Sequence, residues 1–540
     1  MSDLHIVPVA LAGSLLLLLV GDLARPKRVH ATGHLSLAGR FHSLRRQIPV
    51  PSIKGHAALR DRRGRVAFDP RGARWATNSD LHTLTLKKNA LDGARIPLGL
   101  TAATKSRRRR LVAVERAQSL VVIGPTQSGK TTSLAIPAIL SWDGPVLAAS
   151  VKTDLLVNTV SWRSSVGDVA CFDPAGSTGL SGDYWSPLHA CSSWPGARRC
   201  ASRIVESARS EGTSADGDFW YATAAKLLAP LLFAAAYSGL GIDDVARWVD
   251  TQEAGEVADS LEETRVREAI DAARSTWLRD ERQRSSVYTT AETVLEAFLD
   301  STDPSSDQHL DISPRINRKE ISAERLLSNS DTLYVCAPAH DQRRLRPVFT
   351  MLVQEVIETA FLKVARSGRA LDPPLLVVLD EAANIAPLNE LDGLAATCAG
   401  HGVQLVTVFQ DLAQVSARYG VRASTVVNNH RAKVFFSGIS DPGTLDHASH
   451  LAGDEELAVP SVTRGAGGVR STTTSEVTRR LLPPDALRRL PAGSAVLVYG
   501  ALPPARLSLR PWWQDPLLAE RGGRHERPRT SSLDAECEVE

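Results

Sequence analysis

Cysteine is scarce and scattered in this 540-residue chain: six residues, at 171, 191, 200, 336, 398 and 537, with no Cys-x-x-Cys pair and no histidine at zinc spacing. That pattern excludes a disulfide framework and a zinc ribbon and leaves thiols suited to a reducing cytoplasm. An excess of one charge sign is missing as well. With 63 basic and 60 acidic residues the net charge is +3, too small to mark a whole-chain polyanion binder, so any nucleic-acid surface must be local. The amino-terminal apolar run is short: Ile6–Val20, as a helix, rises ~22 Å against a hydrocarbon core of ~30 Å. Asp3 precedes the run, and Arg25, Lys27 and Arg28 follow it. A secretory signal would carry its charges the other way round, and the positive-inside rule places the remainder of the chain in the cytoplasm. Residues 1–23 are expected to form a short membrane anchor, the alternatives being a peripheral helix or the remnant of a longer start whose first span is missing from this sequence.

What is present begins with Ser119–Ile123, a β-branched apolar run that reads as a buried parallel strand. It passes into Gly124-Pro125-Thr126-Gln127-Ser128-Gly129-Lys130-Thr131-Thr132, and Ser133–Leu140 reads as a helix. Strand, Gly-x-x-x-x-Gly-Lys-Thr and helix in that order make a phosphate-binding loop. Its glycines let successive N–H groups converge on a phosphate at the positive end of the helix. Residues Gly124 to Thr132 are expected to cradle ATP. Lys130 would reach the β- and γ-phosphates as a point charge, and Thr131 would place its hydroxyl on Mg²⁺.

Such a loop needs a carboxylate at the end of a neighbouring parallel strand, because open α/β sheets bind ligands beyond the carboxyl ends of their strands. Leu375–Leu379 followed by Asp380 and Glu381 is the supplier. Asp380 is expected to orient Mg²⁺, and Glu381 to act as general base on the attacking water. Val403–Phe409 ends at Gln410, whose amide would bond the γ-phosphate or that water. Asp173 also ends a strand and reads equally as a loop cap or a functional group.

Around these motifs the pattern is α/β: a mainly parallel sheet assembled from residues 71–188 and 330–515, interrupted by an all-α domain over 189–329. Strands are expected at Gly144–Val151, Val166–Phe172, Thr332–Ala337, Ala432–Ser437 and Ala495–Tyr499, with helices at Phe219–Tyr237, Val257–Asp280 and Val348–Val364. Residues 24–70 read as a juxtamembrane linker, Arg107–Arg110 as a solvated loop, Gly465–Thr474 as a mobile loop, and 516–540 as a disordered tail.

In this order the pieces resemble the conjugative type IV coupling ATPases, the TraG/TraD group. The resemblance is carried by Gly72-Ala73-Arg74-Trp75, the phosphate loop, Phe172-Asp173-Pro174, Trp185-Ser186-Pro187-Leu188, Asp218-Phe219-Trp220, Asp380-Glu381, Gln410, Tyr419-Gly420, Asn428-Asn429, and the closing stretch from Arg480-Leu481-Leu482 to Trp512-Trp513. It implies a RecA-like, membrane-anchored homo-hexamer with cytoplasmic ATPase domains. Such an assembly delivers single-stranded DNA and its relaxase to the proteins of a type IV secretion channel. This chain departs from the family in two ways that matter: Thr397-Cys398-Ala399-Gly400-His401-Gly402 lacks the arginine usual there, leaving Arg418 or Arg431 as substitutes, and many members have two membrane spans where this chain shows at most one short one. Two other readings stand beside the motor: a translocase of the chromosome-partitioning or repair type, and a nucleotide-regulated cargo receptor or scaffold. The carboxy-terminal winged helix that would favour the former is not seen after residue 440.

Overall fold

The computed structural model describes residues 72–86, 91–102, 109–178, 182–209, 215–299, 319–338, 340–464 and 470–523. The expected anchor (1–23) and linker (24–70) lie outside the described residues, as do Arg107, Arg108 and the tail beyond 523. The strands are β1 Pro97–Thr101, β2 Leu111–Ala113, β3 Leu120–Ile123, β4 Val146–Ser150, β5 Val169–Phe172, β6 Thr332–Cys336, β7 Leu375–Asp380, β8 Val403–Phe409, β9 Ala432–Phe436, β10 Asp454–Arg464, β11 Arg470–Arg480, β12 Ser494–Tyr499 and β13 Ala505–Ser508.

An 11-stranded sheet has the order β2-β1-β13-β12-β9-β3-β8-β7-β4-β6-β5. From β9 to β5 every pairing is parallel, whereas β12, β13, β1 and β2 add an antiparallel flank. In the parallel strands alternate residues enter two cores: Val121 and Ile123 belong to one apolar cluster, Leu120 and Val122 to the other. Both faces are therefore covered, which is why these strands read as continuous apolar runs without alternation.

Between β5 and β6 the described residues form the helices Trp194–Ala208, Ala215–Tyr237, Ile242–Asp250, Gly255–Thr264, Arg267–Trp277, Glu281–Leu299 and Ala323–Ser328. Among the described residues only Gly217–Tyr237 is long and apolar enough to cross a membrane, and it packs as a largely buried core helix. Trp185 joins this part to the sheet edge. Its buried ring meets Phe172 edge-on, Phe172 in turn meets Phe349 edge-on, and Trp185 Nε1 donates to Glu355 Oε2 at 3.2 Å.

Several expectations are corrected. The strand supplying Asp380 is not adjacent to β3, because β8 lies between them. Val166 ends the helix Asp154–Val166, and β5 starts at Val169. The fully buried Arg163 holds that helix on the sheet, donating to Thr332 Oγ1 (2.7 Å) and to the carbonyls of Trp142 (2.6 Å) and Gly144 (2.8 Å). The single helix expected over Val257–Asp280 is two, divided at Arg265, which takes the left-handed conformation (φ 58°). Residues 470–474, expected to be loop, belong to β11, which pairs with β10 in a two-stranded ribbon. Ser475 to Arg479 are exposed in succession, so both faces of β11 meet solvent there, and period 2 is absent, while its Thr residues suit a strand. Part of the stretch expected to be a disordered tail, 516–540, is ordered. Pro516–Arg521 is a helix with Leu518 buried and Arg521 stacked 4.1 Å over the Trp162 ring.

Candidate functional site

The sheet register brings the motifs to one edge. Ile123 pairs with Phe409, Leu379 with Thr407 and Ser150 with Asp380, and Gly124 N–H donates to the Phe409 carbonyl at 3.2 Å. The segments that leave β3, β8, β7 and β4 therefore emerge side by side.

After β3 the chain turns tightly. A side chain at Gly124 would put its Cβ 2.6 Å from the Phe436 Cβ, and Gly129 lies at φ 89°, so both positions require glycine for different reasons. Gln127 is also left-handed, at φ 60°. Ser128 Oγ donates to the Pro125 carbonyl at 2.7 Å. Lys130 Nζ folds back to donate to the carbonyls of Gly124 (2.6 Å) and Pro125 (2.7 Å). The helix Thr131–Leu140 follows, its first turn, Thr131–Ala135, wound as a π-helix.

Thr131 Oγ1 donates to Asp380 Oδ2 at 2.8 Å. Asp380 is 5% exposed, and burial pushes its carboxyl above the usual carboxylate range against the opposing hydrogen bond from Thr131. Burial likewise depresses the Lys130 ammonium, while Asp380 and Glu381 pull it back up. This is the balance of a desolvated cation and anion held near each other.

Glu381 adopts φ 63°, ψ 53°. A side chain in that conformation costs about 1–2 kcal/mol, and such strain concentrates where geometry serves a function. The twist turns Glu381 out of the strand direction. Its carbonyl accepts from the N–H groups of Asn384 (2.8 Å) and Ile385 (3.1 Å), and its Oε2 accepts from Asn384 Nδ2 at 3.1 Å.

The structure thus brings Lys130, Thr131, Asp380 and Glu381 together. Gln410 stands on the same edge, but its side chain makes no hydrogen bond within the described residues; its N–H donates to Gln414 Oε1 at 3.0 Å. Asp173 is a loop cap, accepting from Ser177 Oγ (3.0 Å) and Thr178 N–H (2.6 Å). Arg418 donates to the Pro387 carbonyl and to Asn389 Oδ1, and Arg431 pairs with Glu115 at 3.6 Å and lies over Tyr499. Both arginines have partners within the chain.

One residue at this edge carries no sequence motif. Lys152 follows β4, and its charge acts on both Lys130 and Asp380. The available signal was its place just past the expected strand Gly144–Val151; what was missing was the knowledge that β4 pairs with β7. Among the described residues there is no group of three or more His, Cys, Asp or Glu side chains able to hold a metal. Thr131 and Asp380 supply two hard oxygen donors, and Mg²⁺ suits such a sparse protein set because it takes its remaining ligands from water and phosphate.

The chain is similar to known proteins over most of its length. Residues 74–534 match the family model described as type IV secretory system conjugative DNA transfer. The conjugal transfer protein TraG of Escherichia coli is 25% identical over 453 residues, spanning 75% of this chain and 68% of that protein. Protein VirD4 of Rhizobium rhizogenes is 22% identical over 420 residues, 75% of this chain and 60% of that protein. Among solved structures, the unbound bacterial conjugative coupling protein TrwB covers 82% of this chain and 93% of its own with TM-score 0.60 and 18% identity. TrwB in complex with ADP and Mg²⁺ covers 82% and 94% with TM-score 0.58 and 18% identity. The likeness to TrwB is one of fold, the RecA-like arrangement around a largely parallel sheet.

Proposed function

Because the chain belongs to the type IV secretory system conjugative DNA-transfer family, we propose that it is an ATP-hydrolysing coupling protein that pumps single-stranded DNA, with its relaxase, toward a type IV secretion channel. The observation that carries this reading is the Thr131–Asp380 hydrogen bond, which joins the phosphate loop to the acidic strand 249 positions away.

In this reading the loop amides from Gly124 to Thr132 and the positive end of the following helix hold the triphosphate. Lys130 exchanges its two loop-carbonyl acceptors for β- and γ-phosphate oxygens, moving one desolvated cation a short way at no cost in ion pairing. Thr131 and Asp380 hold Mg²⁺, which supplies neutralisation of the charge that develops on the phosphates. Glu381, turned out of its strand and steadied by Asn384, takes a proton from the attacking water. Gln410 orients that water or the γ-phosphate from the adjacent strand end, and Lys152 adds positive charge at the same edge. The chain acts as a membrane-anchored homo-hexamer with its ATPase domains in the cytoplasm, and the helical part, 189–329, acts as a domain facing cargo.

The test is ATP turnover measured over a protein titration with and without single-stranded DNA. A motor gives a cooperative, DNA-stimulated rise in specific rate, whereas a rate that is flat in both dimensions would remove the motor. One observation favours the alternative of a nucleotide-regulated scaffold: the stretch Thr397–Gly402 has no arginine, and Arg418 and Arg431 are engaged within their own chain. The same titration separates the two.

A further inference from the structure

A second basic feature lies beside the nucleotide edge. A cavity of about 510 Å³ is lined by Arg209, Arg343, Arg346 and Arg418 together with Asn384 and Gln414, within the ~300–1,000 Å³ usual for ligand sites. No carboxylate lines it. Arg209 pairs with Asp218 and Arg418 bonds Pro387 and Asn389, so the wall is braced by the protein as well as charged. Four permanent cations facing one cavity with no anion in its wall make a site for anionic oxygens.

The cations come from separate places: the end of the helix Trp194–Ala208, the first turns of Gln342–Ser367, and Leu412–Tyr419. Spread in this way they match a succession of phosphates better than one. No aromatic ring lines the cavity to stack a base, so recognition would be of the backbone and indifferent to sequence.

The cavity also touches both residues on the γ-phosphate side of the nucleotide site through one side chain each. Asn384, in its wall, donates to Glu381 Oε2 at 3.1 Å. Gln414, also in its wall, accepts from the Gln410 N–H at 3.0 Å. We propose that this cavity binds the phosphodiester backbone of a single nucleic-acid strand, and that Asn384 and Gln414 are positioning residues that convey its occupancy to Glu381 and Gln410. The proposal rests on the motor reading and deepens it by locating where the cargo strand meets hydrolysis.

The test uses the full chain and a fluorescently labelled, mixed-sequence single-stranded oligonucleotide, with binding followed by anisotropy over a salt series and hydrolysis followed in parallel. In Arg343→Glu/Arg346→Glu the affinity falls tenfold or more and the salt slope drops by roughly 0.7 for each phosphate no longer neutralised. Arg274→Glu, an exposed residue outside the cavity wall that pairs with Glu262, controls for net charge and changes the slope less. Asn384→Ala binds the oligonucleotide but loses its stimulation of kcat, a split that a merely structural role would not produce. If the double variant is misfolded by circular dichroism, the single exposed change Arg343→Gln is read instead. An unaltered slope in a folded variant, a loss no greater than that of Arg274→Glu, or displacement of the oligonucleotide by inorganic phosphate at matched phosphate concentration overturns the proposal. A wild-type chain that neither binds the oligonucleotide nor responds to it overturns the motor reading, and this inference with it.

Discussion

Thr131 Oγ1 lies 2.8 Å from Asp380 Oδ2, a direct hydrogen bond between the residue that opens the phosphate-loop helix and the last residue of β7. Because β8 separates β7 from β3, this contact spans a whole strand. Gln410 follows the last residue of that intervening strand, β8.

Lys130→Ala is expected to lower ATP turnover by about 10²- to 10³-fold, the usual loss on removing one preorganised charge from a reacting centre, and to abolish DNA transfer while the protein stays folded. A malachite-green phosphate assay beside circular dichroism checks this, and normal hydrolysis in the variant would refute the assigned role.

Asp380→Asn separates stability from activity. A buried carboxylate raised above its ordinary range by desolvation is a cost to the nucleotide-free protein at neutral pH, and the amide keeps an acceptor for Thr131. The variant should therefore melt at or above the wild-type Tm without nucleotide, yet lose the Tm increase that Mg²⁺ and ATP give the wild type by mass action. Calorimetry with and without Mg²⁺ and ATP reads both.

Glu381 combines strain and chemistry. Glu381→Gln should slow hydrolysis by about 10²- to 10⁴-fold while retaining bound ATP, and rapid turnover would eliminate Glu381 as the base. Glu381→Gly, which relieves the left-handed backbone (φ 63°), should lose turnover without losing stability, as a urea midpoint would show.

His430 gives a pH dependence. It is fully buried, with Nε2 against Thr407 Oγ1 at 2.9 Å and Nδ1 against the Val426 carbonyl at 2.7 Å. Burial, aided by the nearby Lys433 charge, lowers its pKa from 6.5 to about 4. A depressed folded-state value stabilises above the unfolded one, so this contribution is complete above pH 6.5 and is lost as pH falls toward about 4. The full shift corresponds to about 3 kcal/mol. Tm should fall over that window in the wild type and less steeply in His430→Gln; equal slopes would show that His430 is not the group responsible.

The site was legible in sequence to the extent that backbone requirements write themselves into residue types. Gly124 and Gly129 are glycines because one has a neighbour too close for a Cβ and the other has positive φ; Asp380 was visible because it follows the unbroken apolar run Leu375–Leu379, and Gln410 because it follows the mostly apolar run Val403–Phe409. Lys152 was not, since its relevance depends on β4 pairing with β7. The ribbon β10–β11 was missed because a strand exposed on both faces has no apolar period to reveal it.

By itself, then, the sequence determined the phosphate loop, the acidic strand and the alternation of strands and helices, all local consequences of backbone geometry and burial on both sheet faces. Only the tertiary structure decided the order of the strands, the antiparallel flank, the bridge from Thr131 to Asp380 and the arginine-lined cavity behind Asn384 and Gln414. These depend on contacts between segments far apart in the chain, and no local pattern encodes which strand end will lie beside which.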